Sequence, residues 1–326
     1  DWSTDDLPGV LRVFLRNRDG LLRNGSRLGA WLGRAGHVLR RNTRRGSRRN
    51  IREHYDLGND FFEIFLDDTL TYSCGIFERA DASMREASLA KLDRICRRLD
   101  LRSEDHVLEI GTGWGSFALH AASRYGCRVT TTTISREQAA LARQRVREAG
   151  LQDRVRVLER DYRDLEGTYD KLVSIEMIEA VGHEYLDEFF ARCSHLLADD
   201  GAMMLQAIVM PDREYPRYLR SVDFIQKHVF PGSCLPSIGG MSASLGRNTD
   251  LSIRRLEDIG PHYAKTLATW RRGFLGRRDD VRRLGYPDRF LRMWEYYLAY
   301  CEAGFAEHYI GTVQMLMTKP RWRGTP

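Results

Sequence analysis

Short apolar runs alternate with amphipathic stretches through the middle of the chain, and that rhythm predicts the elements. Residues 107–110 (Val-Leu-Glu-Ile) read as a buried strand, and Ser116-Phe-Ala-Leu119 opens a helix at about 116–125. Residues 127–132 are rich in β-branched types and read as the next strand. Ser135 is the expected N-cap of a helix over 136–149, with Gln138 as its capping-box partner. Residues 155–158 read as a strand, 161–164 as a loop, 172–175 as a strand and about 184–197 as a helix. Asp199-Asp200-Gly201 reads as a turn before a strand over 202–210. Alternation with short links predicts an α/β fold, a mostly parallel sheet with helices on both faces. Ligands of such sheets sit at the carboxyl ends of the strands, where Glu109, Thr133, Asp161 and Glu179 fall.

The flanks follow other patterns. Leu7, Val10, Leu11, Phe14 and Leu15 have helical spacing over 7–17. A weaker helix over 21–39 is interrupted by Gly25, Gly29, Gly33 and Gly36, and 40–52 reads as a solvated linker. Residues 61–66 have helical apolar spacing, 70–75 form a small-polar loop, and 84–99 form a helix with Leu89, Leu92, Ile95, Cys96 and Leu99 on one face. Residues 211–250 break the rhythm with Pro211, Pro216, Pro231 and Pro236, and read as an insertion capping the site. A strand over 251–257, helices over about 263–306 and a strand over 309–318 close the sheet.

Charge changes this picture at one end only. The net charge of the 326 residues is +6, but residues 7–52 hold 13 Arg, no Lys and one acid, Asp19. The remainder therefore carries −6. A basic arm on a mildly acidic body attracts polyanions, either nucleic acid or an anionic membrane surface. Packing of the arm on its own body or on a second subunit is the alternative. A composition of 42% hydrophobic and 29% charged residues is that of a soluble protein, and no apolar run reaches the roughly 18 residues that cross a bilayer. Nothing near the start reads as a signal peptide. The six cysteines form no Cys-x-x-Cys pair, so neither zinc nor a disulfide framework is indicated, and a reducing compartment is expected.

The chemistry concentrates in Val107-Leu-Glu-Ile-Gly-Thr-Gly-Trp-Gly115. Glycines permit positive φ in a tight turn and let a ligand lie against backbone amides at a helix start. The pattern differs from the dinucleotide Gly-x-Gly-x-x-Gly because an acid, Glu109, ends the strand. A carboxylate there meets a cationic amino group, which suits an amino-acid moiety better than a pyrophosphate. An ordinary strand-to-helix turn is the bland alternative.

Seven further stretches accompany that loop, in order, between residues 51 and 318: His54-Tyr-Asp-Leu-Gly-Asn-Asp-Phe-Phe62, Leu70-Thr-Tyr-Ser-Cys-Gly75, Thr133-Ile-Ser-Arg-Glu-Gln138, Arg160-Asp-Tyr-Arg-Asp164, Ser174-Ile-Glu-Met-Ile-Glu-Ala-Val-Gly182, Phe230-Pro-Gly-Ser-Cys-Leu-Pro-Ser237 and Tyr263-Ala-Lys-Thr-Leu-Ala-Thr-Trp270. Together they resemble the cyclopropane-fatty-acyl-phospholipid synthase family, which includes the mycolic acid cyclopropane synthases and related fatty-acyl methyltransferases. The resemblance implies a Rossmann-like class I methyltransferase with a seven-stranded sheet. It would comprise a basic helical arm over 1–50 and a catalytic domain over 51–326, with 211–250 over a lipid pocket. It implies S-adenosylmethionine as cofactor, with contacts at Tyr55, Tyr72, Ser73, Glu109, Gly111, Gly113, Thr133, Gln138, Tyr162 and Arg163. The substrate implied is a cis double bond in an acyl chain of a membrane phospholipid.

The reaction needs no protein nucleophile. The alkene attacks the sulfonium methyl, a carbocation forms, and loss of a proton from the new methyl closes a cyclopropane ring. A base must therefore sit beside a developing cation in a dry pocket. The resemblance implies a bound bicarbonate in that role, held by Cys74, Glu179, Ile208 and Tyr263 and by a histidine. Cys74 and Ile208 would offer backbone amides. The histidine position is Gln206, which can donate but cannot carry a proton. Ala180 stands where the family has another histidine, and Glu176 where it has a small residue. Glu176 is expected to be a surface or supporting carboxylate. These departures surround the base, so methyl transfer is a firmer expectation than ring closure. A methylene or methyl-branched product follows if the proton leaves from elsewhere on the chain.

A nucleic-acid methyltransferase would also explain the basic arm, but no Asn-Pro-Pro-Tyr-like loop and no aromatic-interleaved basic patch is present. A non-catalytic lipid-binding protein is a third reading, kept by Gln206. The expected location is cytoplasmic, peripheral on the inner membrane face, with no nucleic-acid partner. A homodimer and a partner oxidoreductase remain as further partners.

Overall fold

A computed structural model of the chain describes residues 4–18, 46 and 57–324. Tyr55, the helix expected over 21–39 and most of the linker over 40–52 lie outside the described residues.

Seven strands form one sheet: β1 (His106–Ile110), β2 (Arg128–Thr133), β3 (Val155–Glu159), β4 (Tyr169–Ile175), β5 (Leu197–Val209), β6 (Ser252–Asp258) and β7 (Gly311–Thr318). Their order is β3-β2-β1-β4-β5-β7-β6. The first five are parallel, and β7 runs antiparallel to both β5 and β6. The expected α/β architecture with a mostly parallel sheet is borne out.

The period of two along each strand builds two core layers. Leu172, Leu205 and Met315 pack on one face with Phe189 and Phe190 of helix α5 (Leu186–Leu196). Their neighbours Val173, Met204 and Leu316 pack on the other face with Leu92 and Ile95 of α2 (Met84–Arg98) and Phe117 of α3 (Ser116–Tyr125). Helix α4 (Arg136–Glu148) forms the crossover from β2 to β3, and α6 (Ile238–Asn248) packs against α5.

A third apolar region lies over the carboxyl ends of the strands. Phe61, Phe62 and Phe65 meet Trp270 and Phe274 of α7 (Gly260–Gly276) and Trp294 of α8 (Asp288–Ala306). Phe61 and Trp294 contact edge to face, with centroids 4.9 Å apart. This aromatic roof closes the end of the sheet where ligands bind.

At the amino end, α1 (Leu7–Arg16) is capped by Asp6, whose carboxylate accepts the Gly9 N–H at 2.9 Å. Leu11 is buried against Ala299 and Ala303 of α8. Arg12 and Arg16 share the carboxylate of Glu307, at 2.6 and 2.7 Å. Over these residues the arm packs on its own body, while Val13 and Phe14 remain exposed.

Two local expectations are corrected. Asp199-Asp200-Gly201 does not interrupt the chain as a turn; β5 runs through it, and the register slips opposite Tyr169 and Lys171. The slip spans residues 198–201 of β5 and ends at Gly201, where a Cβ would stand 3.0 Å from the Ala198 carbonyl and 3.1 Å from that of Asp170. Gln138 does not complete a capping box. Ser135 Oγ accepts the Gln138 N–H, but the Gln138 side chain turns to the Thr133 hydroxyl and Ser135 N–H goes to the same hydroxyl.

Candidate active site

A cavity of about 320 Å³ runs along the carboxyl ends of the five parallel strands and under the aromatic roof. Glu109 lies on β1 and the glycine loop follows it, Thr133 ends β2, Asp161 follows β3, Glu176 and Glu179 follow β4, and Ile208 belongs to β5. The sheet thus brings residues distant in sequence to one wall.

At the glycine end, the loop is pinned by Gly111 N–H and Thr112 N–H, both donating to the Thr132 carbonyl at 3.0 Å. Gly111 has φ +104°, and a Cβ on it would lie 3.1 Å from that of Met177. Gly113, at φ +50°, faces open space. Glu109 is 2% exposed and accepts the Thr131 hydroxyl at 2.6 Å. Burial pushes its carboxyl up to about 8, against the pull of Thr131 and Lys91. A carboxyl so placed gains by pairing with a cation, and the open glycine loop beside it leaves room for one. The donor set fits the aminoacyl end of S-adenosylmethionine.

The other expected cofactor contacts gather along the same cavity. Tyr72, Ser73, Gly111, Gly113, Thr133, Gln138, Tyr162 and Arg163 all line it. Thr133 donates to Gln138 Oε1 at 3.1 Å, which leaves the Gln138 amide nitrogen for a ligand. Arg163 is held by Asp161 at 2.7 and 2.8 Å, so it acts by fixing that carboxylate. Tyr72 shares a hydrogen bond with Tyr297 at 2.8 Å and lies against Trp270.

The base end departs from expectation. Cys74 N–H donates to Glu176 Oε1 at 2.9 Å, Gln206 Nε2 donates to the same oxygen at 2.7 Å, and the Tyr263 hydroxyl donates to Oε2 at 2.6 Å. Three of the donors expected to hold bicarbonate converge on Glu176 instead. Ile208 N–H donates to Glu179 Oε1 at 2.5 Å. Bicarbonate does not fit these donors while the two carboxyl groups hold them. Of the two places expected for Glu176, surface or supporting, the surface one is excluded: part of it faces the cavity and the rest is enclosed. Its φ is +49°, a left-handed conformation that costs a side chain roughly 1 kcal/mol and that glycine takes freely. Burial raises its carboxyl above the ordinary range, and Tyr263, Cys74 N–H and Gln206 hold it down.

Glu179 is the contrasting member. Among the described residues its buried Oε2 has no hydrogen-bond partner, and burial together with the Glu176 charge pushes its carboxyl up to about 8. Three donors favour the anion of Glu176, whereas Glu179 is the acid of the pair near neutral pH. The Cys74 thiol is pushed well above its ordinary value by burial and lies against carbonyls, so it is no nucleophile. Cys74 and Gln206 stand behind the cavity wall, whereas Ile208, Tyr263 and Glu179 form it.

Lys91 is the residue that sequence reasoning missed. It is 1% exposed and donates to Ser73 Oγ at 2.9 Å, and burial lowers it to about 8 against the pull of Glu176, Cys74 and Glu109. The available signal was its place beside Leu92 on the buried face of α2.

The comparisons agree with this geometry. The chain matches the family described as mycolic acid cyclopropane synthetase over residues 42–315. It is 40% identical over 330 residues to the tuberculostearic acid methyltransferase UfaA1 of Mycobacterium tuberculosis, covering 98% of this chain and 76% of the relative. It is 35% identical to the cyclopropane-fatty-acyl-phospholipid synthase of Escherichia coli, over 82% of this chain and 67% of that one. The crystal structure of mycolic acid cyclopropane synthase CmaA1 complexed with SAH and CTAB superposes with a TM-score of 0.78 at 33% identity, covering 83% of this chain and 98% of that one. Likeness therefore extends over the sheet, the glycine loop and the aromatic roof together, and the chain belongs to the mycolic acid cyclopropane synthetase family of S-adenosylmethionine-dependent methyltransferases.

Proposed function

We propose that the enzyme transfers a methyl group to the double bond of an unsaturated acyl chain of a membrane phospholipid, and that the carboxylate of Glu176, not bicarbonate, takes the proton that leaves. The observation that carries this reading is the convergence of Cys74 N–H, Gln206 Nε2 and the Tyr263 hydroxyl on Glu176.

S-adenosylmethionine supplies an electrophilic methyl on a cationic sulfur. Glu109, the glycine loop, Thr133, Gln138 and Tyr162 would hold it, with Tyr72 and Ser73 closing the near side. The alkene π pair would form the new C–C bond as the methyl–sulfur bond breaks and its electron pair goes to sulfur, leaving a carbocation on the acyl chain. Glu176 offsets that charge in a site walled from water by Tyr263, Tyr297 and Phe305. A C–H bond near the cationic carbon then breaks. Its electron pair becomes a C=C bond, and the proton goes to Glu176. Glu179, protonated, adds no second anion to the site.

The proposed product is an open-chain methylated or methylene acyl group. Two facts support it over a ring. The departures Glu176, Ala180 and Gln206 lie around the base and not around the cofactor. Relatives at 40%, 36% and 34% identity are named methyltransferases, while others at 34% and 35% are named cyclopropane synthases. A partner oxidoreductase would saturate a methylene product. Among the described residues no helix is long and apolar enough to cross a membrane. The basic arm over 7–52 would bring the enzyme to anionic lipid on the cytoplasmic face.

The test is incubation with monounsaturated phospholipid vesicles and methyl-labelled S-adenosylmethionine in buffer stripped of carbon dioxide. Products are read by mass spectrometry before and after mild hydrogenation. A product heavier by one CH₂ that takes up hydrogen is expected. A product that resists hydrogenation would be a ring and would overturn the open-chain assignment. Turnover that needs added bicarbonate would overturn the role of Glu176.

A further inference from the structure

Over the residues that pair, 202–209 of β5 and 311–318 of β7, each strand carries one amide side chain in a largely apolar run. Gln206 and Gln314 lie directly opposite one another across the antiparallel pair, flanked by Leu205 and Ala207 on one strand and Val313 and Met315 on the other. They are 0% and 2% exposed, and neither lines the cavity. Two primary amides in such a setting are costly unless bonded.

Gln314 Nε2 donates to Gln206 Oε1 at 2.9 Å, and Gln206 Nε2 donates to Glu176 Oε1 at 2.7 Å. Among the described residues no other donor reaches Gln206 Oε1, and Gln314 Oε1 is buried without a partner. The sheet thus accepts an unsatisfied oxygen on Gln314 to satisfy the one on Gln206.

We infer that Gln314 is a positioning residue: it locks the Gln206 amide in the orientation that presents an N–H, and not a C=O, to Glu176. The two ends of a carboxamide are nearly the same size, so packing alone does not choose between them. A carboxylate only accepts, and a flipped Gln206 would set oxygen against oxygen. Gln206 Nε2 also donates to the Cys74 carbonyl at 3.5 Å, so with the bond from Gln314 the flip loses three hydrogen bonds at once. This inference rests on the reading of Glu176 as the base.

The other groups facing Glu176 are Lys91 on α2, Cys74 in the loop before it, Tyr263 on α7, Tyr297 on α8 and Glu179 in the turn after β4. None lies on β7. Glu257, across from Gln314 on β6, is occupied by Arg94 and Arg255. Gln314 therefore reaches Glu176 through Gln206 alone.

The test uses the full-length enzyme and the variants Gln314→Met, Gln314→Leu, Gln206→Met and the double Gln206→Met/Gln314→Met, each checked for folding by its Tm. Without Gln314 the amide loses its lock, Glu176 loses a donor and its carboxylate becomes harder to form. The acid limb of the kcat–pH profile is expected to move up by about one pH unit, a roughly tenfold loss of rate below it. Affinity for S-adenosylmethionine and the KM for lipid stay unchanged. The double variant is expected to lose no more than Gln206→Met alone. An acid limb that stays in place in both folded single variants of Gln314 overturns the inference. So does a double variant whose losses add. Full turnover in Glu176→Gln would instead overturn the reading of the base, whatever Gln314 does.

Discussion

Cys74 and Glu176 stand 102 positions apart and are joined by one hydrogen bond, from the Cys74 N–H to Glu176 Oε1 at 2.9 Å. The loop over 70–75 and the turn after β4 meet only in the folded chain. That bond fixes the carboxylate at the cavity wall, and several outcomes depend on it.

Glu176→Gly restores a small residue at the left-handed position and frees three donors. Turnover in buffer without carbon dioxide is expected to fall by at least about a hundredfold, the scale of a lost general base. Added bicarbonate or formate should restore part of it, while wild type should not respond. A variant that stays inactive at all concentrations of both anions would mean that the freed donors form no anion site.

Tyr263→Phe removes the donor on Glu176 Oε2 but keeps the ring that stacks on Phe305 with centroids 4.5 Å apart. Burial already raises the Glu176 carboxyl, and losing the hydroxyl raises it further. Since the base acts ionised, rate rises with pH through that titration, and the limb should move to higher pH. A roughly tenfold loss of rate on the acid side of that limb is expected, with S-adenosylmethionine affinity unchanged by calorimetry.

Glu109 is protonated below about 8 in the free enzyme and ionised when it meets a cationic amino group. Cofactor binding should therefore release a proton near pH 7, and affinity should strengthen as pH rises toward 8. Calorimetry in buffers of different ionisation enthalpy reads the proton directly. Glu109→Gln is expected to weaken binding about 10- to 100-fold and to abolish the proton release.

Glu179 changes stability with pH. Its folded value of about 8 stands above the ordinary 4.5, so between these limits the folded chain holds a proton that the unfolded chain has lost. Stability contributed by this group declines as pH rises through that window. Glu179→Gln should raise Tm by a few degrees at pH 8 and change it little at pH 5. An equal shift at both values would show that this carboxyl is ionised throughout.

Much of this was legible beforehand. The run over 107–110, the glycines after it and Ser135 mark strand, loop and helix cap because each signal is local. The Asp199-Asp200-Gly201 sequence misled because a glycine bulge and a turn share the same residues; only the pairing of β5 with β4 decides between them. Glu176 was unreadable for a different reason. Its three partners come from the loop before α2, from β5 and from α7, and no sequence spacing encodes their convergence. Lys91 reads as a solvated helix residue until α2 is laid against the glycine end of the cavity.

A base delivered by its own peptide bond has no dissociation constant. Its concentration at the site does not depend on dissolved gas or on any exchange with solvent. The burden moves to folding, which must bury the carboxyl and strain the backbone at φ +49°. For Glu176 the quantity to tune is therefore the stability of the whole chain and not the occupancy of a subsite.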